Sequence, residues 1–231
     1  MSSAPEPEYP ADDAGSVTEE AARPATDRTR VRRLPKRGRY DRASLDAVLD
    51  AGVIAHVGWT GDDGQPYATP TIAWRLGDRL YWHGSSASRM LRATGGGVPV
   101  CVTVTLLDGL VLARSTFHHS MNYRSVVVLG EARRVEDEEE RCRCLDVLVD
   151  HILAGRSAEA RGPNRVELRQ TDVLVLPIDE ASVKLRTGGT KDDPEDMDLP
   201  IWAGVVPLTV TAGDPIPDEG VDGLPLPIAL R

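Results

Sequence analysis

LYWHGSSASRML, residues 80–91, leads from apolar and aromatic positions through a turn of small polar residues into the start of a helix. Three serines and Arg89 fall within positions 85–89. Hydroxyls, unpaired backbone N–H groups and a fixed positive charge at one point suit a phosphate monoester, so the stretch predicts a phosphate site. The alternative is an ordinary helix start with Ser85 or Ser86 as N-cap and Arg89 in solvent, and local chemistry alone favours it.

Short strands and tight turns surround this stretch. The pattern predicts eight strands, at residues 53–59, 65–74, 79–83, 98–107, 110–117, 125–135, 165–177 and 181–186. Asp108-Gly109 is interpreted as the turn of a hairpin, and Gly130 as a bulge within its strand.

Three helices are predicted before and between the strands. Asp41 is expected to cap a helix that carries Leu45, Val48 and Leu49 on one face and ends with Gly52 at C′. A short helix should follow the serine-rich turn and end at residues 95–97, which are all glycine. A third helix, preceded by the acidic residues 136–140 and closed by Gly155, is indicated by an apolar stripe: Leu145, Leu148, Val149, Ile152 and Leu153.

The order of these elements predicts a mainly β fold, a closed or half-closed antiparallel barrel with peripheral helices. Neither GxGxxG nor GxxxxGK[ST] occurs, so the sequence offers no Rossmann dinucleotide site and no P-loop.

Charge divides the 231-residue chain into a domain with two tails. Residues 1–27 hold seven acids and one base, whereas residues 28–42 hold eight bases and one acid. We expect a disordered tail at 1–40, acidic and then basic, a domain at 41–190, and an extended acidic, proline-rich segment at 191–231. The basic block could bind an acidic surface, a nucleotide cofactor's phosphate or nucleic acid; its composition favours a solvated arm.

Composition excludes several classes. The formal net charge of −9 disfavours nucleic-acid binding by the whole chain, and no apolar run approaches the length of a membrane helix. With no hydrophobic signal segment at the N-terminus, a cytoplasmic protein is expected. The three cysteines form no metal-binding motif. His118-His119 could ligate haem or a metal, but adjacent residues of a strand point to opposite faces, which disfavours a shared ion, and no metal site is predicted.

Five ordered motifs carry a family resemblance: DGQPYATPTIAW, DRLYWHGSSASRML, PVCVTVTLLDGLVLARSTFHHSMNYRSVVVLGEA, VKLRTGG and WAGVVPL. Together they resemble the pyridoxamine 5′-phosphate oxidase-related proteins of the FMN-binding split-barrel superfamily. The branch to which they are most similar is that of flavin-nucleotide-binding and nitroimidazole-reductase-like proteins. The resemblance implies an antiparallel, Greek-key split barrel, and it strengthens the phosphate interpretation of the serine-rich turn.

The resemblance also implies a site. It assigns cofactor binding to Thr69, Pro70, Thr71, Ile72, His83, Ser85, Ser88, Arg89, Tyr123, Arg124, Ser125 and Trp202. Residues 69–72 would follow the flavin ring, Arg89 and Arg124 would neutralise the phosphate, and Trp202 would cover the ring from a partner chain. His83 is the candidate catalytic residue, as a hydrogen-bonding or proton-transferring neighbour of the ring, with inert packing as the alternative.

The implied function is a homodimeric FMN-dependent oxidoreductase that moves hydride between flavin N5 and a small-molecule substrate, with NAD(P)H as a candidate electron donor. Vitamin B6 oxidation is disfavoured because the C-terminal pattern that closes the true oxidases is not recognisable here. Two alternatives stay open: a non-catalytic flavin store or redox sensor, and a reductase dependent on the deazaflavin F420, whose acidic tail the basic block would help to bind.

Overall fold

Antiparallel strand pairing organises the chain in a computed structural model, which describes residues 23–221 and 223–230. The strands are β1 (Gly38–Arg39), β2 (Ile54–Thr60), β3 (Pro66–Leu76), β4 (Arg79–Ser85), β5 (Gly96–Leu112), β6 (Ser120–Arg134), β7 (Thr171–Pro177), β8 (Glu180–Arg186) and β9 (Gly204–Pro207). The α-helices are α1 (Arg42–Ala51), α2 (Arg89–Thr94), α3 (Glu138–Ile152) and α4 (Arg165–Gln170).

Six of the strands close into a ring. The order is β6-β7-β4-β3-β2-β5, and β5 pairs with β6 to complete the circle. Outside the ring, β8 pairs with β6, β1 with β8, and β9 with β5. The predicted mainly β fold, an antiparallel split barrel with peripheral helices, is therefore confirmed.

Alternation along the strands fills the ring with β-branched side chains. Five valines that face inward from β2, β5 and β6 each have at most 2 % of their surface exposed: Val57, Val102, Val104, Val126 and Val128. Burial of each such side chain contributes about 1.5–3 kcal/mol. The predicted apolar face of α1 packs on this core, whereas α3 covers a second cluster around Trp74 and Tyr81 on the outer surface.

The start of α1 is confirmed and its end is corrected. Asp41 accepts a hydrogen bond from the Ser44 backbone N–H at 2.8 Å, as an N-cap should. Gly52 is the C-cap rather than C′, and its φ of −97° is open to any residue. Its glycine is required by packing instead, because a Cβ there would lie 2.2 Å from Cγ1 of Val104.

The predicted hairpin at Asp108-Gly109 is wrong. β5 continues through these residues, and the pairing with β6 shifts between Leu107 and Gly109, which leaves Asp108 as the extra residue of a bulge. Asp108 turns its carboxylate towards Arg124 on β6. The chain reverses after Leu112 instead, and Gly130 pairs regularly with Val100, so the bulge predicted at Gly130 is also wrong.

The strand predicted over residues 165–177 begins with a helix. Asn164 accepts hydrogen bonds from the backbone N–H groups of Val166 and Glu167, and Glu167 accepts one from the Asn164 N–H. This reciprocal capping box satisfies the first amides of α4 and starts a helix where alternation alone had indicated a strand. The strand proper, β7, starts at Thr171.

Both predicted tails contact the domain within the described residues. In the basic block, assigned by sequence to the N-terminal tail, β1 pairs with β8, and Arg28 forms an ion pair with Glu180 on β8. At the other end β9 pairs with β5, and the Ile228 N–H donates to Glu159. The predicted disorder of residues 1–22 falls outside the described residues.

Candidate functional site

One edge of β3 is open. β3 pairs with β2 along residues 66–72, but it pairs with β4 only from Ala73 to Leu76. Among the described strands, residues 66–72 therefore have no partner on their second edge. Proline, which lacks a backbone N–H, is tolerated at such an edge. This edge contains the four predicted ring contacts Thr69, Pro70, Thr71 and Ile72.

The serine-rich turn lies where β4 ends. Its backbone is held by hydrogen bonds from the Ser88 N–H to the Ser85 carbonyl at 2.8 Å and from the Ser86 N–H to the Gln170 carbonyl at 2.9 Å. Ser88 is the N-cap of α2, yet its side chain makes no capping hydrogen bond. The Ser88 hydroxyl is therefore left for another acceptor or donor.

Arg89 joins the turn to the open edge. Its guanidinium carbon lies 4.1 Å from the ring centroid of Tyr67 on β3 and 5.4 Å from that of Trp59 on β2. The two rings stack at 4.6 Å, and the indole N–H of Trp59 donates to the hydroxyl of Thr69. Arg89 forms no ion pair with a carboxylate of the described residues. The turn thus presents an oriented guanidinium that no carboxylate of the described residues contacts directly.

His83 lies on β4, two residues before the serine-rich turn. Its ring is tilted against Trp74 at 5.9 Å, and its buried Nδ1 has no hydrogen-bond partner among the described residues. Burial lowers the pKa of His83 below the usual 6.5, so the imidazole is neutral at pH 7. A neutral imidazole can accept or donate one proton.

Residues 123–125 do not meet Arg89 within one chain. Arg124 on β6 pairs with Leu106 on β5. Gly58, which precedes Trp59 on β2, pairs with Cys101, which lies nearer the start of β5. Positions 101 and 106 of one strand are about 17 Å apart. Arg124 is moreover bonded to Asp108 by two hydrogen bonds of 2.8 and 3.0 Å, which raise the pKa of its guanidinium. The Ser125 hydroxyl donates to the Lys184 carbonyl.

Trp202 also lies away from Arg89 in the same chain. It precedes β9, which pairs with residues 109–112 of β5, and 66 % of its surface is exposed. Contact with a ligand bound at Arg89 would therefore require a second chain.

Sequence reasoning missed His56. It lies on β2, pairs with Pro70 on β3 and with Thr103 on β5, and is exposed on the outer surface of the ring. Strict alternation with the buried residues Ala55 and Val57 could have identified it as outward-facing. This places an imidazole on the strand that pairs with residues 66–72 of β3, on the side opposite their open edge.

The histidines at positions 118 and 119 are not on a strand. They lie in the turn between β5 and β6, which contains a 3-10 helix at Thr116–His118. Their side chains are therefore not directed to opposite faces of a strand, as the sequence had suggested. Within residues 23–221 and 223–230 no group of three or more His, Cys, Asp or Glu residues could hold a metal ion. The same part of the chain contains no helix long and apolar enough to cross a membrane.

Comparison with known proteins places this geometry in a family. The family model for pyridoxamine 5′-phosphate oxidase matches residues 41–185. The flavocytochrome Anf3 from Azotobacter vinelandii is 42% identical, with 90% of this chain and 97% of that one covered and a TM-score of 0.85. An FAD and haem binding protein from Mycobacterium smegmatis is 41% identical, with coverages of 84% and 96% and a TM-score of 0.80.

A further structure supports the fold alone. A protein from Bacteroides thetaiotaomicron, linked by its name to 5-nitroimidazole antibiotic resistance, is 24% identical over 64% of this chain and 85% of that one, with a TM-score of 0.53. No curated protein matches the sequence. The family model and the two more similar structures agree, and the chain belongs to the pyridoxamine 5′-phosphate oxidase family.

Proposed function

We propose that the protein is a flavin-dependent redox protein whose flavin phosphate binds at the serine-rich turn. The observation that carries this proposal is Arg89, a cation stacked on Tyr67 beside an open strand edge and without a carboxylate partner among the described residues. An oriented guanidinium that is not already paired with a carboxylate suits a phosphate oxyanion, whether in the diphosphate of FAD or in the monoester of FMN.

The other residues of this region fit a flavin nucleotide. Ser85 and Ser88 would hold the phosphate with their hydroxyls. On the open edge of β3, the backbone of residues 69–72 offers hydrogen-bonding groups to the polar edge of the ring. When bound, a flavin supplies hydride or single-electron transfer. The chain's part is to hold the phosphate, orient the ring and exclude water, with His83 as the imidazole able to move a proton nearby.

The proposed flavin is FAD, with FMN and F420 as the competing predictions. FAD is supported by the 41% identical protein from M. smegmatis, which binds FAD and haem and matches 84% of this chain. We propose haem as a second cofactor on the same ground and on the likeness to flavocytochrome Anf3. The two cofactors, when bound, would supply electron transfer, and a small molecule such as NAD(P)H would be the electron donor.

The protein is proposed to act as a homodimer. Arg89 and Arg124 are too far apart to bind one phosphate in a single chain, and Trp202 is exposed and lies away from Arg89. A second copy could supply residues 123–125 and Trp202 to the open edge of β3 and complete the site.

The test is the spectrum and composition of the purified protein. We expect a flavin absorbance near 450 nm and a haem Soret band, with FAD identified by mass spectrometry after acid release. Bleaching by NAD(P)H and recovery in air would support the oxidoreductase. A yellow protein that neither NADH nor NADPH bleaches would instead support the flavin store. A colourless protein that takes up neither FAD, FMN nor F420 would contradict the proposal.

A further inference from the structure

The turn between β5 and β6 presents a histidine in a form suited to bind iron. Nδ1 of His119 lies 2.9 Å from the carbonyl oxygen of Ser115. A carbonyl can only accept, so Nδ1 donates its proton and Nε2 of the neutral ring keeps its lone pair. His119 is exposed, which leaves that atom accessible. Metal-ligating histidines are commonly oriented by such a bond from the second ring nitrogen.

The other four histidines lack this combination. His118 and His151 are only partly exposed, unlike His119. Nε2 of His118 donates to the Asp193 carboxylate at 3.2 Å, and Nε2 of His151 lies 3.2 Å from the Gly52 carbonyl oxygen, so each would have only Nδ1, the nitrogen next to Cβ, for a metal. His83 is half-buried against Trp74. His56 is exposed, but no described residue forms a hydrogen bond that would fix its tautomer.

The surface beside His119 is apolar, as a porphyrin requires. Phe117, two residues before it, is 87% exposed, and Met121, two residues after it, is 50% exposed. Met121 pairs with Leu110, and Leu110 with Val206 on β9, so that three partly exposed apolar side chains lie side by side. Because a porphyrin supplies four of the iron ligands, the protein needs to supply only one or two.

We propose that Nε2 of His119 is an axial ligand of haem, and that Phe117, Met121 and Leu110 form part of the apolar surface against which the porphyrin packs. This inference rests on the haem binding proposed above and adds the residue that holds the iron. His118 would stay bonded to Asp193, and His119 alone of the two would bind the iron.

The experiment uses the full-length protein, haemin as the probe, and the variants His119→Gly, His118→Gly and His56→Gly. We expect the wild-type chain and the latter two variants to bind haemin with the same Soret band and stoichiometry. His119→Gly should lose most of the bound haemin, or shift the band to that of a differently ligated iron. Added imidazole should restore the wild-type spectrum of His119→Gly, which a merely structural defect would not allow. Flavin absorbance near 450 nm checks that each variant is folded.

The outcomes separate this inference from the proposed function. A wild-type spectrum in His119→Gly, or a loss confined to His118→Gly or His56→Gly, would overturn the ligand assignment and leave haem binding intact. A wild-type protein that keeps its flavin but never takes up haemin would overturn both the haem proposal and the assignment. Loss in His119→Gly with rescue by imidazole supports both.

Discussion

Arg89 and Tyr67 stack with the guanidinium carbon 4.1 Å from the ring centroid, although one residue opens α2 and the other lies on β3. The stack fixes the direction of a long, flexible side chain before any anion arrives. Truncation of the ring by Tyr67→Leu should remove a cation–π interaction of about 0.5–1 kcal/mol. Flavin binding, measured by fluorescence titration, is expected to weaken about two- to fivefold. Unchanged affinity would show that the stack does not orient Arg89.

Gly52 should be intolerant of any side chain. Its missing Cβ would lie 2.2 Å from Cγ1 of Val104, a core residue with 2% of its surface exposed. Overpacking of this kind typically costs about 1–3 kcal/mol, so Gly52→Ala should lower the free energy of unfolding by that amount in urea denaturation. Gly213→Ala is the control, because nothing lies within 4 Å of its Cβ position. Equal effects of the two substitutions would refute the packing argument.

His83 should make the fold sensitive to mild acid. Burial lowers its pKa in the folded state, so the unfolded chain protonates first as the pH drops past the usual 6.5. The unfolded state then binds more protons than the folded state, and stability falls with decreasing pH in this range. His83→Gln should flatten the decline in unfolding free energy between pH 7 and pH 5. An identical pH slope in the variant would contradict the assignment.

Cys144 should be protected from alkylation. It is fully buried on the inner face of α3, and burial together with the charge of Glu140 raises its pKa to about 11. At pH 8 the thiolate fraction is then about one in a thousand. Iodoacetamide treatment of the native protein, followed by peptide mass spectrometry, should modify the half-buried Cys101 before Cys144. Rapid modification of Cys144 in the native state would mean that α3 opens readily.

Much of the fold follows from local sequence patterns. Alternating apolar residues and capping residues such as Asp41 are short-range signals, and they predicted most strands, the helices α1 to α3 and the mainly β class. Asp108-Gly109 was wrongly predicted to be a turn because Asp and Gly are common both in turns and in β-bulges. The bulge forms here with Arg124 of the neighbouring strand bonded to Asp108. α4 was missed because Val166 and Leu168 also fit a strand.

The site was predictable only in part. The serine-rich turn is contiguous in sequence, and Arg89 stood out within it. Its stack on Tyr67 depends on how the ring of strands closes, which no local pattern specifies. The separation of Arg124 from Arg89 likewise follows from strand register, and the resemblance to the family assigned only Trp202 to a partner chain.

The most direct test of the central claim is the flavin dissociation constant of Arg89→Ala, measured by fluorescence quenching after removal of bound flavin. Loss of one charge-assisted contact of about 1.5–3 kcal/mol predicts affinity roughly ten- to a hundredfold weaker than wild type. Arg92→Ala, which removes an exposed arginine from the last turn of the same helix, should bind flavin as the wild type does. Wild-type affinity in Arg89→Ala, or an equal loss in both variants, would contradict a phosphate site at this turn.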